Sequence, residues 1–288
     1  DYRRVLNFGR GDRRGLVIDL LVLLGVLLLA GYARGWDLAE YPFGLWYDEA
    51  NNGVFARQIL QDPTFRPLYS EPLQLPAHFS YLTALSFSLF GLGVVQMRLV
   101  GVAFGLLSVA LSYLIFKRWF GRPVGAAAAV LLAVMRYHLP WSRFGMFWDT
   151  PPAFELLILY FMDRALADKR PVDFALTGLA VGFSLAFYFA TRLYVGVLLV
   201  FLLFLAAGWL IRRTQRARRA AETTPAPRRA AFWTGVVALV LGGLLAIAPV
   251  GYYALTHYEQ FFVRTATVSI FEKRDEPDLG KALTSQVS

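Results

Sequence analysis

The chain has no cysteine, only three histidines and few charges: 17% of its 288 residues are Asp, Glu, Lys or Arg, where a soluble domain carries roughly 25%. Without cysteine there can be no disulfide, thiolate metal site or thiol nucleophile. Three histidines are too few for a His-rich metal centre. The shortage of charge excludes an ordinary cytosolic enzyme. Disorder is excluded by the 57% hydrophobic content, since disordered chains lack apolar residues to bury. What the chain does have is long apolar runs, 16% aromatic residues and a basic excess of +9. That excess invites a nucleic-acid reading, so its location has to be settled first.

Apolar runs of about 18 residues read as membrane-spanning helices. Seven segments qualify or come close: Leu16–Ala33, Leu99–Phe116, Val124–Met135, Pro152–Met162, Phe174–Ala190, Leu193–Ile211 and Ala231–Leu255. The segment His78–Gly93 is apolar but short and rich in Ser, Thr and Tyr. Counting it as an eighth span would reverse the orientation of everything after it. Loop charges decide the matter, because cytoplasmic loops concentrate Lys and Arg. With seven spans and a cytoplasmic N-terminus, 18 of the 29 basic residues lie inside. With eight spans, 13 of those 18 would move outside. The expectation is an all-α polytopic protein of seven transmembrane helices, with His78–Gly93 lying along or re-entering the outer surface.

This topology leaves a long first outer loop over 34–97, a basic cytoplasmic loop over 212–230 and an outer tail over 256–288. The whole of 1–288 reads as one membrane module and as a fragment of a longer protein. The Arg-rich loop, with its ETTPAP stretch, reads as an orientation anchor and disordered linker. The basic excess is then inside, the outer side is slightly acidic, and nucleic acid is not expected as a partner. Gly101–Gly105 and Gly178–Gly182 fit the small-xxx-small pattern of helix packing.

Candidate chemistry lies in the outer loops. From Asp48 onward, DEANNGVFARQIL reads as a short amphipathic helix with Val54, Phe55, Ile59 and Leu60 on its apolar face. Asp48 fits its N-cap, where the helix dipole favours an ionised carboxylate. Such a group serves as a general base, as a cation ligand or as a plain cap. The loop from Arg136 to Asp149 gathers Arg136, His138, Arg143, Asp149 and several aromatic residues. Arginine suits phosphate, whereas aromatic rings and snorkelling arginines also make an ordinary interfacial belt. An acid such as Asp149 is not required by a belt. Arg98 and Arg192 stand at outer span ends, as interfacial anchors or phosphate ligands. Glu155 enters the fourth span, and His78 opens the surface-lying segment.

These features, in this order, resemble the GT-C superfamily of polytopic glycosyltransferases. They comprise a first span, an outer loop with "DEA" at a helix start, an apolar segment ending in "LFG", "QMRLVG", the basic turn "KRWFGRPVGA", and "SR" with an acid soon after. The nearest branch looks like the bacterial relatives of protein O-mannosyltransferases and of the lipid A aminoarabinose transferase. The resemblance covers about residues 10 to 270. It implies a seven-span module whose first outer loop contains surface-lying helices. It implies transfer of a sugar from a polyprenyl-phosphate donor to an acceptor (protein, lipid or glycan) on the outer face, by an inverting displacement. Asp48 would be the catalytic acid-base residue, Glu49 its neighbour and Asp149 the second acid, with Arg143, Arg98, His78, Arg136 and Arg192 available to bind phosphate. The aminoarabinose branch carries a Lys-Pro-Pro-like stretch where this chain reads Leu75-Pro76-Ala77-His78. His78 or another cation such as Arg98 takes the place of that lysine. Asp149 stands outside any Asp-x-Asp pair, so no cofactor is called for, although a divalent metal stays an option. The contrasting reading is a transporter or flippase of lipid-linked substrates. The clustering of acids in outer loops, and the lack of paired broken spans, favour the enzyme at the cell membrane.

Overall fold

The computed structural model describes residues 13–219 and 227–262. Its helices are α1 (Arg13–Gly35), α2 (Tyr47–Gln61), α3 (His78–Phe90), α4 (Val94–Phe120), α5 (Arg122–Val134), the single turn α6 (His138–Trp141), α7 (Thr150–Asp168), α8 (Pro171–Phe187), α9 (Thr191–Arg219) and α10 (Pro227–Thr256). A two-residue antiparallel pair, β1 (Tyr69–Ser70) and β2 (Leu75–Pro76), closes the turn before α3. A 3-10 turn at Phe147–Asp149 leads into α7.

Each of the seven expected segments corresponds to a helix, namely α1, α4, α5, α7, α8, α9 and α10, although Met135 and residues 188–190 lie beyond the ends of α5 and α8. Among the described residues three helices are long and apolar enough to cross a membrane: α1, α4 and the Trp233–Thr256 part of α10. Helices α5, α8 and the Thr191–Phe201 part of α9 are apolar but shorter. The all-helical class of the chain is therefore plain, and three helices are candidate spans. Helix α1 exposes Leu16, Val17, Leu20, Leu21, Leu24 and Leu28, a surface suited to hydrocarbon and not to water. The 13-residue α3 reaches only about 20 Å at 1.5 Å per residue, short of a ~30 Å bilayer core. The arginine-rich loop is helical to Arg219 and again from Pro227. Residues 220–226, the N-terminal arginines Arg3, Arg4 and Arg10, and the tail beyond residue 262 lie outside the described residues.

Two layers of packing hold the bundle. Val26 and Ala30 of α1, Val109 and Tyr113 of α4, and Ala129 and Ala133 of α5 form one apolar cluster. Ile158 and Met162 of α7, Ala180 of α8 and Leu198 of α9 form another. At the end of α1 that starts the bundle, Asp19 is buried and accepts hydrogen bonds from Tyr113 (2.9 Å) and Arg122 (2.7 Å), with Lys117 closing on its other oxygen. Asp163 pairs with Arg118 and accepts from the Trp119 indole at 3.1 Å. Ionisable groups among apolar helices need such partners. These pairs neutralise much of the basic turn between α4 and α5.

The two glycine pairs do different work. Gly178 lies against α10, where a Cβ would come within 1.9 Å of the Leu239 carbonyl oxygen, so backbone meets backbone as small-xxx-small packing requires. Gly101 and Gly105 instead make room for the second outer loop and for Arg34: a Cβ would meet the Phe144 carbonyl oxygen at 2.2 Å from Gly101 and Arg34 Nε at 2.7 Å from Gly105. Gly178→Leu is therefore expected to force α8 and α10 apart and destabilise the protein by about 2 kcal/mol or more. A melting temperature in detergent equal to that of the parent chain would contradict this packing.

Candidate active site at the start of α2 and the 136–149 loop

Helix α2 carries the acids of the first outer loop, and its start differs from the sequence reading. The helix begins at Tyr47 with Trp46 at the N-cap position and no side-chain capping bond. Asp48 therefore sits inside the first turn and is not the cap. The Trp46 carbonyl accepts the Ala50 N–H at 2.9 Å, and the Trp46 ring meets Trp148 edge-on at 5.9 Å. Packing of an aromatic residue has displaced the polar cap by two positions. The buried face of α2 consists of Glu49, Asn52, Phe55, Ala56 and Ile59. Of the expected apolar stripe, Phe55 and Ile59 face inward, whereas Val54 and Leu60 are exposed. The error is one of phase: positions 49, 52, 56 and 59 define the inner face, and Val54 lies off it.

Glu49 is the centre of this region. Its two carboxylate oxygens accept from Arg98 Nε at 2.9 Å and Arg98 Nη2 at 3.1 Å, and both side chains are 0% exposed. Glu49 Oε1 also accepts the Gly145 N–H at 2.8 Å. Arg98 further donates to the carbonyls of Leu38 (2.9 Å) and Gly44 (2.7 Å) in the α1–α2 connection. One step along α2, Asn52 donates to Thr83 (3.0 Å) on α3 and to the Gly145 carbonyl (2.9 Å), and accepts from Ser80 at 2.7 Å. The paired acid and base thus lock α2, α3, α4 and the second outer loop into one unit.

Asp48, beside this pair, is half-buried, and no described side chain bonds to its carboxylate. Asp149 ends the 3-10 turn and is 2% exposed. Its Oδ1 lies 3.3 Å from His138 Nε2, and Oδ2 has no hydrogen-bond partner. Burial pushes the Asp149 carboxyl up to about 8, against the pull of the nearby Arg34 charge. The segments carrying Asp48 and Asp149 are in direct contact through Trp46–Trp148 and Glu49–Gly145.

The candidate phosphate ligands divide sharply. Arg98 is fully buried and engaged. Arg143 donates to the carbonyls of Ala33 (2.9 Å) and Tyr41 (2.9 Å) and to those of Trp36 and Asp37, so it caps the C-terminal end of α1. Neither guanidinium is turned to a substrate in this structure. Arg136 is exposed. Arg192 is exposed, its guanidinium 5.8 Å from the centre of the Phe261 ring. His78 packs its ring 5.7 Å from Phe187 with Nδ1 unbonded, and burial lowers its proton affinity. Arg34, which the sequence reading left at the edge of the first span, proves to be wholly buried beside His138. Nothing in its local sequence separates it from a snorkelling anchor. Among the described residues no three His, Asp or Glu side chains gather as a metal site.

A family model of dolichyl-phosphate-mannose-protein mannosyltransferases matches residues 74–217, half of the chain. The chain belongs to this family. The matched part runs from the turn before α3 through α9, so it includes Arg98, His138, Arg143 and Asp149, while Asp48 and Glu49 precede it. The GT-C likeness seen in the sequence agrees with this membership. No curated protein and no solved structure matches the chain.

The buried pair gives a direct test. Glu49→Gln leaves the Arg98 charge uncompensated and should destabilise the protein by about 3–5 kcal/mol. Glu49→Leu combined with Arg98→Met removes both charges and should cost less than the two single changes added together. Unfolding in detergent measured over the four-member cycle would show additive losses if the pair did not couple.

Proposed function

We propose that this mannosyltransferase-family protein transfers a sugar from a polyprenyl-phosphate donor to an acceptor at the outer face of the cell membrane, by a single inverting displacement. Family membership supports glycosyl transfer from a lipid-linked donor. In this reading α1, α4, α5, α7, α8, α9 and α10 are the seven spans, the N-terminus is cytoplasmic, and α2 and α3 lie at the outer interface. The observation that carries the reading is Asp48: a half-buried carboxylate near a helix start, without cap or ion pair among the described residues, tied to the segment that bears Asp149.

The chemistry follows from what each group has free. The acceptor hydroxyl attacks the anomeric carbon, its proton passes to the Asp48 carboxylate, and the bond from that carbon to the phosphate oxygen breaks. A single displacement by a hydroxyl inverts the anomeric centre. The departing lipid phosphate leaves with its negative charge, which cationic donors stabilise. Arg136 and Arg192 are exposed and are the candidates for that task, with His78 as a further donor. Arg98, Glu49 and Arg143 act by positioning. An apolar groove of about 360 Å³ between α3 and α4, lined by Leu82, Leu85, Leu89, Leu99, Phe104 and Leu107, suits a prenyl chain. The proposed partners are the donor, the bilayer and a hydroxyl-bearing acceptor.

Asp48→Asn keeps the shape of the side chain and removes its basicity. Transfer from a polyprenyl-phosphate sugar, assayed in membranes with the full-length protein, should fall about 10²–10⁴-fold with folding unchanged. Undiminished transfer would overturn the role of Asp48. Transport of the lipid-linked sugar without any glycosidic product would favour the flippase reading instead.

A further inference from the structure

The connection between α1 and α2 is built inside out: its backbone carbonyls turn to the protein and its large side chains turn away. Arg143 donates to the carbonyls of Trp36 (2.5 Å), Asp37 (3.3 Å) and Tyr41 (2.9 Å). Arg98 donates to those of Leu38 (2.9 Å), Ala39 (3.4 Å) and Gly44 (2.7 Å). Gly44 makes the turn at a positive φ of 68°. Two guanidiniums thus serve six carbonyls between residues 36 and 44. A loop lying in water needs no such arrangement, because water satisfies its carbonyls. Backbone set among lipid has to find its partners within the protein.

The side chains point the same way. From Tyr41 to Tyr47 the chain reads YPFGLWY, without a charge. Phe43 is 77% exposed and Tyr47 75%, and Tyr41, Leu45 and Trp46 are exposed as well. A bare apolar patch marks a contact with a protein or a membrane, and its surroundings choose between them. The patch continues the exposed leucine face of α1, a helix long and apolar enough to cross a membrane. The Tyr32–Trp36 pair, with ring centres 5.5 Å apart, bridges the two. On its other flank Trp46 meets Trp148, which meets Trp141 at 4.7 Å, so the rings run on into the 136–149 loop. Trp and Tyr are the residues that settle at the boundary between lipid and water. The exposed acids Asp37 and Glu40 precede the uncharged stretch, so no carboxylate has to enter lipid with it.

We propose that residues 41–47 are an aromatic anchor seated in the headgroup layer of the bilayer, with Phe43, the most exposed of them, at the acyl boundary. The occupant of this surface is lipid, and neither a protein partner nor the sugar donor. Arg98 and Arg143 tie the anchor to the unit that carries Asp48, so the anchor sets the depth at which α2 begins. The inference requires a chain embedded in a membrane and nothing of the transfer reaction.

The lack of cysteine makes a depth measurement straightforward. Phe43→Cys and, separately, Leu45→Cys in the full-length protein, freed of any other cysteine, carry an environment-sensitive fluorophore in nanodiscs of phosphatidylcholine and phosphatidylglycerol. Leu24→Cys on the exposed face of α1 gives the deep reference, and the same dye on free cysteine in buffer gives the aqueous one. A lipid nitroxide near the headgroup should quench the label at Phe43 or Leu45 about two-fold more than one deep in the acyl chain, with the order reversed at Leu24. Iodide should quench both labels about five-fold less than the free dye. Both positions are exposed, and if one labelled variant fails to fold the other decides. Quenching by iodide as strong as that of the free dye overturns the proposal. Protection from iodide without quenching by either lipid nitroxide means a protein cover and overturns it too. So does protection that arises only when a polyprenyl-phosphate sugar is added, which would make the patch a wall of the donor site. None of these measurements needs turnover. The anchor can therefore fail where Asp48→Asn abolishes transfer, and hold where Asp48→Asn leaves transfer intact.

Discussion

The packing of α2 against α4 and the 136–149 loop depends on one fully buried ion pair. Arg98 on α4 and Glu49 on α2 meet through two hydrogen bonds with no exposure to solvent. An ion pair so placed pays a large desolvation cost, which its own attraction need not exceed. What offsets that cost is the remainder of the hydrogen-bonding capacity. Arg98 reaches carbonyls of the α1–α2 connection, and Glu49 accepts the Gly145 N–H of the second outer loop. Three separate stretches of chain are thereby referred to one point on α4. The direction of α2, and with it the place of Asp48, follows from that point.

The helical architecture was legible because hydrocarbon length and charge bias act over long windows. Each expected apolar segment became a helix, and the short His78–Phe90 segment became a 13-residue helix packed on α2 and α4. Local details were less legible. The start of α2 was misplaced because cap preference is a small effect, about 1 kcal/mol, and the Trp46–Trp148 contact overrides it. Val54 was put on the wrong face because a short amphipathic pattern containing Asn52 and Glu49 hides a polar inner surface. The Gly101–Gly105 pair looked like helix packing, yet accommodates a loop and an arginine. A small-residue motif states that something comes close, not what it is.

Sequence alone singles out candidate acids more readily than it sorts the arginines around them. Asp48 stands out as an acid at a helix start and Asp149 as an acid that an interfacial belt does not require; Asp149 Oδ2 is buried without a hydrogen-bond partner among the described residues. The arginines could not be sorted from sequence. Arg34, Arg98, Arg136, Arg143 and Arg192 all stand near outer ends of apolar runs, and each fits a snorkelling anchor. Three of them turn inward: Arg34 to His138, Arg98 to Glu49, Arg143 to the end of α1. Their partners lie from 49 to 110 residues away in the chain, a separation that no local pattern reports.

That sorting bears on the mechanism. In a low-dielectric setting a charge without a counterpart is costly, so most buried ionisable groups here are matched: Asp19 with Lys117 and Arg122, Asp163 with Arg118, Glu49 with Arg98. Asp149 differs from these, since the cation that acts on it, Arg34, reaches it across His138. An imidazole between the two prevents a direct ion pair, which would have fixed the carboxylate as an anion. His138 Nε2 lies 3.3 Å from one carboxylate oxygen but makes no hydrogen bond to it. Burial without a direct counter-charge therefore pushes the Asp149 carboxyl up, whereas Glu49 and Asp19 meet their cations directly.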